Sequence, residues 1–163
     1  MKLIASAFVI LCLVSCNGNV SSNKAIADSA KTQNMQAGVR KMANDIANDI
    51  GVGGPVQWLN YFEQSPNFFM AVDGQRVFNS NDSATHFIKE VLAKNIMKVK
   101  LKWSNMYVDS ISPAIAILSA SYHEDLIDKD NKVINADGYF TGTAEKTDDG
   151  WKLRNLHWSS QAK

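Results

Sequence analysis

Residues 138–160 read GYFTGTAEKTDDGWKLRNLHWSS, and this stretch organises the chain. Tyr139, Phe140, Thr141, Thr143 and Ala144 form one long strand. Trp151, Leu153, Leu156, His157 and Trp158 form a second. Between them Thr147-Asp148-Asp149-Gly150 supplies the turn-forming and positive-φ preferences of a hairpin. A two-stranded ribbon is marginal alone. The rest of the chain must therefore add strands and a helical cover.

The 163 residues suggest one domain, with 45% hydrophobic and 20% charged content, ordinary values for a globular core. A formal charge of +1 gives no basic field for nucleic acid. Both cysteines, Cys12 and Cys16, lie at the N-terminus, so the remainder has neither an internal disulfide nor a thiolate metal site. His86, His123 and His157 lack metal-ligand spacing, and no cofactor is implied. No phosphate-binding glycine loop or nucleophile elbow is present.

Lys2 followed by the apolar run Leu3–Val14 has the form of a signal sequence, too short to span a bilayer comfortably. Leu13-Val14-Ser15-Cys16 resembles the bacterial lipobox. That resemblance implies cleavage after residue 15 and a diacylglyceryl thioether on Cys16, with acyl chains such as palmitate. Two chains make such anchoring stable. Residues 16–24 then read as the lipidated cysteine and a polar tether, and residues 25–163 as the folded domain. Asn17 replaces the aspartate that retains such proteins at the inner membrane. The expected location is therefore the outer membrane, facing the periplasm.

From Ala25 the periodicity is helical. Met35, Val39, Met42, Ile46 and Ile50 mark one buried face, and Gly51, Gly53 and Gly54 end it. Pro55 starts a short second helix with Trp58, Leu59, Tyr61 and Phe62. Residues 67–72 and 75–78 predict a hairpin turning at Asp73-Gly74. Ser80 or Asn81 caps a third helix, with Ala84, Phe87, Ile88, Val91 and Leu92 as its stripe. His86 falls beside that stripe, as a surface or half-buried residue. Met97, Val99, Leu101 and Trp103 alternate with Lys98, Lys100 and Lys102, which predicts a strand with one solvated face. Ala114–Asp125 is apolar on both sides around Ile115–Leu118, and predicts a strand covered on both faces.

This order, with FFMAVDG at residues 68–74, Tyr122-His123-Glu124 and the closing GWKLRNLHWS at residues 150–159, resembles the SnoaL-like group of the nuclear transport factor two-like superfamily. Many SnoaL-like chains end in Gly-Trp, an alternating strand and His-x-Ser. The resemblance implies an α+β fold in which a strongly curved antiparallel sheet packs against about three helices. Together they form a cone with a mostly apolar pocket. Family members include isomerases, cyclases, dehydratases and non-enzymatic binders, so the fold leaves the function open.

Within that cone Trp58, Phe69, Trp103, Tyr122, Tyr139 and His157 are the expected lining. On the last strand Trp151, Leu153, Asn155 and His157 are expected to face inward, with Leu156 and Trp158 behind. Glu124 and His157 are the candidate acid and base, ahead of Asp109 and His123, and could pair across the sheet. Asn67 stands where enzymes of the fold often carry an aspartate, which places binding ahead of catalysis. Three functions follow. The first is a lipoprotein binding a small apolar molecule. The second is an enzyme using Glu124 or His157. The third is a homodimer or docking module that uses the outer sheet face.

Overall fold

The computed structural model describes residues 18–161. The expected signal peptide and the Cys16 lipidation site lie outside the described residues. No described helix is long and apolar enough to cross a membrane.

Helix α1 spans Gly18–Gly53. It begins before Ala25, so the polar stretch read as a tether is helical from Gly18. Val39, Ala43, Ile46 and Ile50 are fully buried, as their spacing requires. Lys41 and Asp45 pair on the solvent side at 2.5 Å. Gly54 takes φ 75°, which ends the helix and turns the chain into a 3₁₀ segment, Pro55–Tyr61.

Strands β1 (Phe69–Val72) and β2 (Gln75–Phe78) form the first hairpin. Asp73 and Gly74 both have positive φ, 48° and 79°, the signature of a tight hairpin turn. Ser80 caps α2 (Asn81–Phe87) in a reciprocal capping box with Ser83. A π turn, Ile88–Leu92, continues α2 into α3, Ala93–Asn95. Strands β3 (Ile96–Ser112), β4 (Ile115–Asp128), β5 (Val133–Thr147) and β6 (Gly150–Ser160) follow as a long antiparallel meander.

The six strands lie in the order β2-β1-β6-β5-β4-β3. All neighbours are antiparallel except β1 and β6, which run parallel. The sheet is curved and unclosed, and α1 packs across its concave face. The Trp103 indole N–H donates to the Ala43 carbonyl at 2.8 Å, and Arg40 donates to the Met106 carbonyl at 2.7 Å.

Bulges shape this sheet. Extra residues in β3 fall between Ile96 and Lys98 and between Ser104 and Tyr107. Asn105, inside the second bulge, takes φ 50°. Each bulge bends its strand and reverses which residues point inward. Ile96 is therefore buried while Met97, expected inside, is 65% exposed. Beyond Asn105 the inward side passes from Trp103 to Val108.

Two further expectations are corrected. Strand β4 is not covered on both faces. Ala116, Leu118 and Ala120 are buried, but Ile117 faces out and is exposed. On β6 the inward face belongs to Leu156 and Trp158 rather than Asn155 and His157. Leu153 pairs with Ala144 and Asn155 with Thr143, which leaves Arg154 as an extra residue that flips the alternation.

Candidate functional site

The concave sheet face and the helices leave a cavity of about 290 Å³ near the end of the cone. Trp58 and Phe62 of the 3₁₀ segment form one wall. Met70, Val72 and Phe78 of the first hairpin form the next. Phe87, Ile88 and Leu92 close a third side, where the π turn places Ile88 and Leu92 on the cavity. Val99, Tyr122, Glu124, Leu126, Ala136, Trp158 and Ser160 come from β3 to β6. The lining is overwhelmingly apolar, with a few polar groups, the usual composition of a small-molecule site.

An aromatic cluster backs this cavity. Trp158 lies 5.6 Å from Trp58 and 4.8 Å from Tyr122, edge-on in both cases. Phe140 and Trp103 lie beneath it at 4.7 and 5.7 Å. Opposite Tyr122 in the ladder is Gly138, whose missing side chain makes room for the phenol ring. Burial holds the Tyr122 hydroxyl above its ordinary pKa, opposed by the Ser160 side chain beside it. Ser160 is clasped by Asp73. Its N–H and its hydroxyl donate to the two Asp73 oxygens at 2.6 and 3.0 Å. The clasp ties the hairpin turn to the end of β6.

Glu124 brings the lone carboxyl group to this lining. It shares the inward face of β4 with Tyr122 and stands between Leu101 and Ala136 in the ladder. Burial alone raises its pKa from 4.5 to about 7. Among the described residues no hydrogen bond or nearby charge contributes to that shift. A carboxyl in this state can hold or release a proton near neutrality.

A larger groove of about 460 Å³ lies beside the β5–β6 turn, but Asn60, Glu63, Gln64, Asp149 and Lys152 leave it polar and open. No group of three or more acidic, histidine or cysteine side chains among the described residues is arranged for a metal.

No family model matches the chain, and no curated protein matches it. Solved structures do. A nuclear transport factor 2 (NTF2-like) superfamily protein from Salmonella enterica serovar Typhimurium superposes with a TM-score of 0.65 at 16% identity, covering 84% of this chain and 94% of that one. The chain has the NTF2-like fold. Hexachlorocyclohexane dehydrochlorinase LinA-type3 from Novosphingobium barchaimii LL02 matches with a TM-score of 0.65 at 12% identity, over 82% of this chain and 91% of that one. An NTF2-like protein of unknown function from Shewanella oneidensis matches at 0.61 and 19% identity, over 76% and 98%. Neighbours of this fold thus include an enzyme and a protein with no assigned role.

Within the NTF2-like cone, the structure sorts the sequence candidates. Trp58, Tyr122 and Glu124 line the cavity. Trp103 points inward but forms the floor of the aromatic cluster rather than the cavity wall. Phe69 shares the outer face with Asn155 and His157, and carries the Arg76 guanidinium 4.7 Å above its ring. Tyr139 is exposed between Ser121 and Ser159. His157 lies on the face opposite Glu124, two strands away, so the two cannot pair. His123 also faces out, between Asp137 at 2.7 Å and Asp125 at 3.0 Å. Asp109 and Asn67 are exposed and outside the cavity.

Trp158, Met70, Phe78 and Leu126 were missed as lining residues. One signal was present: Leu153 and Leu156 stand three apart, where an unbroken strand would place buried residues two apart.

Proposed function

We propose that this protein binds a small, largely apolar molecule in the NTF2-like cavity, and that it does so while tethered to a membrane through Cys16. The observation that carries the reading is the open, aromatic-walled cavity containing one carboxyl with no hydrogen-bond partner among the described residues. A group so placed orients a ligand, while the surrounding rings supply the burial. The lipobox-like Leu13–Cys16 motif supports the tether, and Asn17 after it supports an outer-membrane setting facing the periplasm.

Thermal unfolding in the presence of small apolar compounds tests the binding reading. A ligand at a hundred times its Kd stabilises the folded state by about 2.7 kcal/mol. Ala136→Phe, which places a ring inside the cavity, should abolish the stabilisation while leaving the protein folded. A shift that persists in the folded variant would place the ligand elsewhere.

The Glu124 pKa near 7 favours a second reading, in which the carboxylate takes a proton beside a carbonyl or electron-poor carbon. Turnover lost in Glu124→Gln, with ligand binding retained, would support catalysis. His157→Ala should leave any turnover unchanged, because His157 lies on the outer face.

A further inference from the structure

The chemistry of the cavity narrows the class of ligand, and the argument rests on the cavity being the binding site. Glu124 is the only carboxyl among the lining residues, and Tyr122 is the only other titratable group there. Neither a lysine nor an arginine lines the cavity to neutralise the carboxylate. An ionised carboxylate in an apolar wall is poorly solvated and gains most from a cation brought to it. The walls around it are aromatic: Trp58, Phe62, Phe78, Phe87, Tyr122 and Trp158. Ring faces attract cations, and the attraction strengthens when water is excluded.

Near the Tyr122 hydroxyl lie Asp73 and Asp137, with His157 acting on the first and His123 bonded to the second on the outer face. Asp73 sits beside Ser160, and the charges of Asp73, Asp137 and Glu124 all act on the Tyr122 hydroxyl. A ligand carboxylate would meet repulsion from Glu124 in the wall. A neutral ligand would leave Glu124 without a counter-charge.

We propose that the preferred occupant is a hydrophobic amine, its ammonium held at Glu124 and its apolar body against Trp58, Trp158 and Phe87. The pairing makes binding depend on pH. At pH 8 Glu124 is mostly ionised and attracts the ammonium. At pH 5 it is mostly protonated and the attraction is lost, although the amine stays charged.

Three probes of similar size and different charge decide the matter: phenethylamine, phenethyl alcohol and hydrocinnamate, each titrated calorimetrically against the wild-type protein at pH 8 and pH 5. The expected result is at least tenfold tighter binding of phenethylamine than of phenethyl alcohol at pH 8, with hydrocinnamate weakest. The preference should disappear at pH 5, and in Glu124→Gln at either pH. Equal affinity of the amine and the alcohol at pH 8 would overturn the amine proposal while the cavity reading stood. Failure of all three probes to bind would overturn both. The comparison of pH values in the wild type stands on its own if Glu124→Gln fails to fold.

Discussion

Trp158 stands edge-on to Tyr122, with ring centroids 4.8 Å apart and ring planes at 78°. Its neighbour His157 points to the opposite face of the sheet. The two residues therefore make opposite predictions. Trp158→Ala removes the ring that joins Trp58, Trp103, Phe140 and Tyr122, and should cost about 3–5 kcal/mol in denaturant unfolding. His157→Ala should stay within about 0.5 kcal/mol of wild type, as for other surface changes. Equal destabilisation would mean the register of β6 is wrong.

Gly138 is the space into which Tyr122 folds. A Cβ there would lie 2.8 Å from the phenol oxygen and would also collide with the Ser159 carbonyl. Backbone cannot move as a flexible side chain can. Gly138→Ala should therefore destabilise by about 1–3 kcal/mol and weaken ligand binding, as Tyr122 is displaced. Urea unfolding with a parallel binding titration checks both effects.

Glu124 has a folded pKa of about 7 against 4.5 when solvated. The folded state thus holds the proton more tightly than the unfolded chain. Burying Glu124 costs nothing below pH 4.5. The cost grows as pH rises from 4.5 to about 7 and is complete above that. At about 1.4 kcal/mol per unit it reaches the order of 3 kcal/mol. Glu124→Gln should match wild type near pH 4 and exceed it in stability at pH 8. A stability difference that does not change with pH would show that Glu124 is solvated.

Cys16 governs location in this account. Cys16→Ala should move the protein from the membrane fraction to the soluble fraction, since the proposed anchor is the pair of acyl chains on that sulfur. Unchanged membrane association would remove the lipoprotein proposal and leave the cavity untouched.

Local features of the fold were legible in the sequence. The buried face of α1 follows from Val39, Met42, Ile46 and Ile50, the turn from Asp73-Gly74, and the start of α2 from Ser80. Each is decided within a few residues. The cavity lining was less legible because bulges decide it. Met97, Asn105 and Arg154 each reverse the alternation, and a bulge is set by pairing with a distant strand. For that reason His157 lies outside and Trp158 inside, whereas Phe69 and Tyr139 face out on strands that none of these three bulges interrupts. Glu124 escaped the error because β4 pairs with β5 without a shift from Ile115 to Ile127. Ile115 and Ile117 misled for another reason: an apolar residue on an open face carries the same letter as a buried one.

The central claim is that a small molecule enters the cone beside Glu124. The chain has four tryptophans. Trp58 and Trp158 line the cavity, Trp103 lies beneath it, and Trp151 packs on Gly38 of α1 away from it. Nitrogen–proton correlation spectra resolve one indole signal for each, and a titration with phenethyl alcohol reads them together. The account predicts that the Trp58 and Trp158 signals move with a common saturation curve while the Trp151 signal stays fixed. Movement of Trp151 alone, or of none of the four at saturating probe, would contradict it.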